Sequence, residues 1–198
     1  MKILLTVPPA SALTVTPPIG LGYMASVLRE NGYGAAILDA RKESLNSEKT
    51  IEKIIKFDPD VLGISALTSN YTQTAKIIRS LKEQGSGAKI VVGGPHASAL
   101  PLATLKETSA DFVIRGEGEY PFLELIRFLD KGTGALSDID NLCYRDESGV
   151  KIKPIARPLE DLDRIPAPAW DLILPGEYPP NPHQFFFKRY PIAPVITT

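Results

Sequence analysis

Three short clusters have the residue types for a binding site. Gly93-Gly94-Pro95-His96 closes the apolar run Lys89 to Val92. Glycines just after a buried strand either let a ligand approach bare backbone or supply a turn with positive φ. His96 reads as a metal ligand or as a structural hydrogen-bond donor. Ser65-Ala66-Leu67-Thr68 ends a second apolar run, Val61 to Ser65. Its small residues leave space and its hydroxyls offer donors, while Ser69 and Asn70 beyond it suit helix capping. Arg115-Gly116-Glu117-Gly118 follows a third run, Asp111 to Ile114, near a helix start whose free amides favour acceptor groups. Glu117 and Glu119 are near neighbours with no reacting partner, so no general acid–base pair is evident. The chemistry is that of a cradle for a large ligand, without catalytic residues or a set of metal ligands.

The elements that position these clusters alternate. Lys2–Val7, Ala35–Leu38, Val61–Ser65, Lys89–Val92 and Asp111–Ile114 read as strands. Between them lie helical periods: Leu21, Met24, Ala25 and Leu28, opened by Pro18 and closed by Asn31-Gly32; Ile51, Ile54 and Ile55, capped by Ser47; Thr74, Ile77, Ile78 and Leu81; and a shorter helix from Pro101 to Glu107. Pro121 opens a last helix with Phe122, Leu125, Ile126 and Leu129 inward. Strict alternation predicts a doubly wound α/β domain with a five-stranded parallel sheet, over residues 1–135. Such sheets bind ligands at the carboxyl ends of their strands, where the strand order reverses. All three clusters stand at such ends.

After the first strand, Pro8 to Gly20 contains no Asp, Glu, His, Lys or Arg. It lacks the glycines and Lys-Ser/Thr of a phosphate loop. It reads either as a wall against a large apolar ligand face or as a loop that only crosses the sheet edge. Residues 136–198 differ in composition, with 10 of the 18 prolines from Pro154 onward. Asn141 to Lys153 reads as a hairpin turning at Asp146-Glu147-Ser148-Gly149. Ile165–Trp170 and Tyr178–Pro182 read as an extended connector. Phe185-Phe186-Phe187 has little local core to join and suits packing against a further domain.

Composition narrows the class. The chain has 198 residues, 43% apolar and 23% charged, with a net charge of -1, which fits a soluble globular protein. No basic footprint for nucleic acid or a membrane surface is present. The apolar N-terminal run is stopped by Pro8-Pro9, too early for a signal peptide or membrane span. Cys143 is the only cysteine, so the chain can form no internal disulfide and cannot ligate an iron–sulfur cluster alone. A reduced, cytoplasmic setting is the expectation.

Four stretches in order carry a resemblance: Pro17-Pro18-Ile19-Gly20-Leu21-Gly22-Tyr23, Val91-Val92-Gly93-Gly94-Pro95-His96, Asp111 to Glu119, and Ile165-Pro166-Ala167-Pro168-Ala169-Trp170-Asp171. On them the chain resembles the N-terminal cobalamin-binding domain of cobalamin-dependent radical S-adenosylmethionine (SAM) proteins. Its end is similar to the run that precedes that family's cysteine cluster, which implies a chain cut before a catalytic barrel.

The resemblance implies a Rossmann-like, flavodoxin-like fold that takes the nucleotide tail of cobalamin between sheet and helices. It places the Ser65 hydroxyl, in a Ser-x-Leu match completed by Leu67, near the tail's base. Gly93-Gly94 would admit the tail, and Gly116-Glu117-Gly118 would form the neighbouring wall. Ala66, Thr68, Pro95, His96 and Arg115 complete the expected contact set. Because the loop after the first strand has no histidine, the resemblance implies cobalt without a histidine ligand from that loop. The barrel would carry an iron–sulfur cluster and S-adenosylmethionine, with methyl transfer or another radical reaction as the outcome, and this segment alone would not be catalytic. The other readings are a docking scaffold without cobalamin, a signalling receiver and a flavin domain. A receiver needs acidic residues after the first strand and a phosphate-accepting Asp after the third, where this chain has Pro8-Pro9 and Ser65-Ala66-Leu67, and the phosphate loop of a flavin domain is missing.

Overall fold

The parallel strands carry apolar side chains on both sides, so the sheet needs helices on both faces. The computed structural model describes every residue except 11–14, 157–158, 160, 180–188 and 196–198. Phe185-Phe186-Phe187, the centre of the Pro8–Gly20 loop and the last residues of the chain lie outside the described set.

Strands β1 (Ile3–Val7), β2 (Ala35–Asp39), β3 (Val61–Ser65), β4 (Lys89–Gly93) and β5 (Phe112–Ile114) pair in parallel in the order β2-β1-β3-β4-β5. The order reverses between β1 and β3, the switch point of a flavodoxin-like sheet. Helices α1 (Ile19–Glu30) and α6 (Glu119–Lys131) cover one face. Helices α2 (Ser47–Phe57), α3 (Tyr71–Glu83) and α5 (Pro101–Thr108) cover the other. A short helix, α4 (Pro95–Ala99), precedes α5 and was not anticipated, although Pro95 at its first turn is a usual helix opener.

Two local expectations change. The cap of α2 is Asn46, whose Oδ1 accepts from the Lys49 amide at 2.9 Å; Ser47 is already inside the helix. Ile55 is 43% exposed, because one residue on from the buried Ile54 the helix has turned by about 100°.

The sheet has seven strands rather than five. The predicted hairpin forms as β6 (Leu142–Asp146) and β7 (Gly149–Ile152), and it adds to the sheet edge. β6 runs antiparallel to β5, with Val113 opposite Cys143. The hairpin thereby covers an edge that would otherwise expose unpaired backbone groups. Arg115 fastens it: Nη1 donates to the Lys153 carbonyl at 2.9 Å, and Nε to Ser98 at 3.3 Å.

The described part of the predicted extended connector, which leaves out residues 180–182, also packs on the domain. Ser26 donates to the Ala167 carbonyl at 2.6 Å, and the Ala169 amide donates to the Gly22 carbonyl at 3.0 Å. Arg29 forms a two-pronged pair with Asp171 at 3.0 and 2.9 Å. Gly22, Ser26 and Arg29 sit at i, i+4 and i+7 on α1, so one helix stripe receives the whole strap. That ion pair is exposed and screened by solvent. The docking force is instead burial of Ala169, Ile173 and Tyr178, each below 5% exposed.

Gly22 is the notch in this contact. A Cβ there would meet Ile173 Cδ1 at 2.6 Å and Pro168 Cβ at 3.1 Å. In an open helix Gly→Ala stabilises by about 1 kcal/mol. Here overpacking, typically about 1–3 kcal/mol, opposes that gain. Gly22→Ala is therefore expected to lower stability, or at best leave it level, in urea unfolding. A gain of about 1 kcal/mol would show that the strap does not dock.

Candidate functional site

The period of two along each strand builds the site. Leu5, Gly63, Val91 and Phe112 align across β1, β3, β4 and β5 as one row. Two residues closer to the carboxyl edge, Ser65 pairs with Gly93, on the same face as the first row. This face lies under α1 and α6. The second row contributes little side-chain volume at its centre, and a cleft of about 290 Å³ remains between the sheet and the two helices. Leu5, Gly63, Val91, Leu21, Met24 and Phe122 line its inner part, one helix turn or one strand row in from the edge. Thr16 to Gly20, Ser65, Leu67, Gly93 and Gly116 to Glu119 line its mouth.

The cleft opens beside β1 and β3, where the strand order reverses. Of the residues expected to contact a ligand, Ser65, Leu67, Gly93, Gly94, Gly116, Glu117 and Gly118 line it. Ala66, Thr68, Pro95, His96 and Arg115 do not. Ala66 is fully buried, with its amide on the Gly93 carbonyl at 2.8 Å. The Thr68 hydroxyl lies 3.1 Å from His96 Nδ1, and the imidazole stacks on Tyr71 with ring centroids 3.9 Å apart. His96 therefore joins α3 to α4 behind the cleft, the structural alternative for that residue. Arg115 is spent on the hairpin. Asn70 stands at the N-terminal end of α3 but its side chain makes no capping bond to that helix; its Oδ1 accepts instead from the Leu67 amide at 2.8 Å, closing the turn that follows β3.

The two adjacent glycines have different reasons to be glycine. Gly94 has φ +92°, and a Cβ on it would sit 2.8 Å from the Ala66 carbonyl oxygen. It is required by the turn itself. A Cβ on Gly93 would meet only the Ile114 carbonyl oxygen, at 3.7 Å. Gly93 is therefore the one that keeps the mouth open. Gly116, at φ +61°, turns the third wall, and its amide donates to Ser98 Oγ at 2.9 Å. Asn141 holds that wall from behind, donating to the Glu117 carbonyl at 3.0 Å and accepting from the Ala156 amide at 2.7 Å.

One cleft-lining group has no counterpart in the sequence reading. Arg41 lines the mouth and is locked by Asp39, which takes Nε at 3.1 Å and Nη2 at 3.0 Å. Arg41 Nη2 also reaches the Thr16 carbonyl at 3.3 Å, joining the β2 edge to the loop after β1. Tyr178, from the strap, donates to Asp39 Oδ2 at 3.4 Å. Burial, and then the Asp39 charge, push the Tyr178 phenol well above its ordinary value, so it remains a protonated donor. Lys42 pairs with Glu177 and lies over the Tyr178 ring, completing the anchor.

The described residues that line the cleft include no cysteine and no histidine. Cys143 is buried on the opposite face, where desolvation raises its thiol pKa and keeps it protonated. Among the described residues, no three of His, Cys, Asp and Glu come together to hold a metal ion. Ser65 Oγ has no hydrogen-bond partner within the described chain and stands at the mouth. A bulky apolar group with a polar end fits this arrangement: greasy floor, free hydroxyl, open backbone at Gly93. The nucleotide tail of cobalamin has that character.

Glu119 opens α6 at the mouth. Burial, with a smaller contribution from Glu117, raises its carboxyl pKa, against the lowering effect of the Gly118 and Glu119 amides. Such a group binds its proton more tightly folded than unfolded. Stability is then full below the ordinary glutamate value of about 4.3 and falls as pH rises through the raised folded value. Glu119→Gln is expected to gain urea stability relative to the parent at pH 7.5 and to lose that advantage at pH 4. An advantage that grows on acidification would contradict the assignment.

Comparison with known proteins agrees with this geometry. The B12 binding domain family matches residues 6–126. The chain is 36% identical over 185 residues to an uncharacterized methyltransferase of Pyrococcus horikoshii, covering 90% of this chain and 40% of that protein. It is 32% identical over 163 residues to the anaerobic magnesium-protoporphyrin IX monomethyl ester cyclase of Rubrivivax gelatinosus, covering 79% and 29%. The structure of the cobalamin-dependent S-adenosylmethionine radical enzyme OxsB with aqua-cobalamin bound superposes with a TM-score of 0.77 at 24% identity, over 89% of this chain and 25% of that one. The chain thus spans 40% or less of the length of each of these proteins. The match over residues 6–126, more than half of the chain, places this chain in the B12 binding domain family, as a module for cobalamin.

Proposed function

We propose that the cleft between β1, β3, β4 and the helices α1 and α6 receives the nucleotide tail of cobalamin. In this reading the Ser65 hydroxyl donates to the tail, and the bare backbone at Gly93 lets it pass. The loop Thr16–Gly20 and the turn Gly116–Gly118 form opposite walls. The observation that carries the reading is the apolar cleft with a hydroxyl at its mouth, Ser65 Oγ, that has no hydrogen-bond partner among the described residues. A pure docking scaffold has no reason to leave that volume empty.

The whole protein is proposed to be a cytoplasmic radical SAM enzyme, methyltransferase-like or catalysing a related radical reaction. Its iron–sulfur cluster and S-adenosylmethionine would sit in a barrel domain beyond residues 136–198, here assigned as the linking part. Cobalamin, when bound, supplies methyl-group or redox chemistry. The residues of this chain bind and orient it. Neither nucleic acid nor a membrane is proposed as a partner. Among the described residues, no helix is long and apolar enough to cross a membrane.

Gly93→Phe tests the placement without straining a positive-φ position. The ring would project into the mouth, since only the Ile114 carbonyl stands near the new Cβ. The expected result is an unchanged far-ultraviolet circular dichroism spectrum and loss of the cobalamin absorbance that the parent retains after mixing with hydroxocobalamin and desalting. Equal retention by the variant would place the ligand elsewhere.

The cobalt environment gives a second test. The described part of the loop after β1 offers no nitrogen ligand, and His96 is held by Thr68 and Tyr71 away from the cleft lining. Electron paramagnetic resonance of the cob(II)alamin form is expected to lack nitrogen superhyperfine splitting. A split spectrum would show an axial nitrogen and contradict this arrangement.

A further inference from the structure

The inner part of the cleft is unusual for what it lacks. Leu5, Leu21, Met24, Gly63, Val91 and Phe122 form it, and none carries an oxygen or nitrogen in its side chain. The backbone there is also spent. β1, β3 and β4 are interior strands bonded on both edges, and their ladders consume the amides and carbonyls. Thr6, the polar residue within β1, is on the other face and donates to the Leu38 carbonyl at 2.8 Å. The buried side-chain atoms without a partner among the described residues are Asn70 Nδ2 and Gln73 Oε1, and neither residue lines the cleft. The polar side chains of the lining are at the carboxyl edge instead: Thr16 follows β1, Arg41 follows β2, Ser65 ends β3, Glu117 follows β5 and Glu119 opens α6.

Cobamides share one corrin ring and differ in the base at the end of the nucleotide tail. The base of cobalamin is dimethylbenzimidazole, whose six-membered ring ends in two methyl groups. An adenine base presents ring nitrogens and an exocyclic amine in the corresponding ring. Buried in this floor, those groups would lose their water and find no partner. Sites discriminate strongly against a group they would leave unpaired. We infer that the apolar floor makes this chain selective for benzimidazole-based cobalamin over purine-based cobamides. The inference rests on the reading that the tail enters this cleft. Met24 is the residue best placed to alter it, because it reaches in from α1, half-buried, with its Cε 3.2 Å from the position of a Cβ on Gly118.

The test is a set of three binding titrations followed by visible absorbance, with aquacobalamin, the adenine-based cobamide and cobinamide, which has no base, as probes. The adenine form is expected to bind roughly 5- to 150-fold more weakly than cobalamin. Cobinamide is also expected to bind more weakly than cobalamin. Met24→Gln is close to isosteric and adds a donor and an acceptor to the floor. It is expected to narrow the gap between the two cobamides while the protein keeps its circular dichroism spectrum. Equal affinity of the parent for the two cobamides, with cobinamide weaker than both, overturns the inference although cobalamin binds; equal affinity for cobalamin and cobinamide overturns the underlying reading, because cobinamide has no base to enter the cleft. Failure of the parent to bind cobalamin at all also overturns the underlying reading.

Discussion

The cleft exists because one face of the sheet is underfilled near its carboxyl edge. Strand geometry sends alternate side chains to opposite faces, so Gly63, Ser65 and Gly93 all fall beneath α1 and α6. On the opposite face Ile64 and Val92 occupy the neighbouring positions and are 2% exposed or less. The same strands therefore build a closed core under one set of helices and an opening under the other. A protein interior normally closes such space, since each void forfeits dispersion contacts. The turn at Gly116 and the loop from Thr16 are pinned from outside by Ser98, Asn141 and Arg41.

The strap after the hairpin belongs to this arrangement. It runs from Arg164, whose carbonyl accepts from Tyr120 at 2.8 Å, across the Gly22 stripe of α1, to Tyr178 on Asp39. Both helices beside the cleft and the edge of β2 are thus tied to one segment of chain. Asp39 is the joint of the network. It is buried, it fixes Arg41, and Arg41 fixes Thr16. The wall of the cleft is connected to residues that lie far along the sequence, before any ligand is considered.

The doubly wound core was legible because its signals are local. Continuous apolar strands, helical periods and proline breaks each lie within about ten residues, and the switch-point rule then locates the mouth. The small residues at the strand ends were legible as a cradle. What separates Gly93 from Gly94 is a carbonyl of Ala66, nearly thirty positions earlier, which no local pattern records. The same holds for His96, whose partners Thr68 and Tyr71 come from the preceding unit. The prolines of the strap indicate an extended connector, and extended backbone is equally what a docked strap uses. The hairpin was seen as a hairpin, but its addition to the sheet depends on the exposed edge of β5, a tertiary fact. Arg41, Asp39 and Tyr178 carried no motif at all.

The most direct measurement is hydrogen–deuterium exchange of the purified protein with and without hydroxocobalamin, resolved by peptide. The account predicts slower exchange in the peptides that carry Thr16–Leu21, Gly93-Gly94 and Gly116–Glu119, on the α1 and α6 side of the sheet. Protection confined to α2, α3 and α5, or no change at the three strand ends despite bound cobalamin, would contradict it.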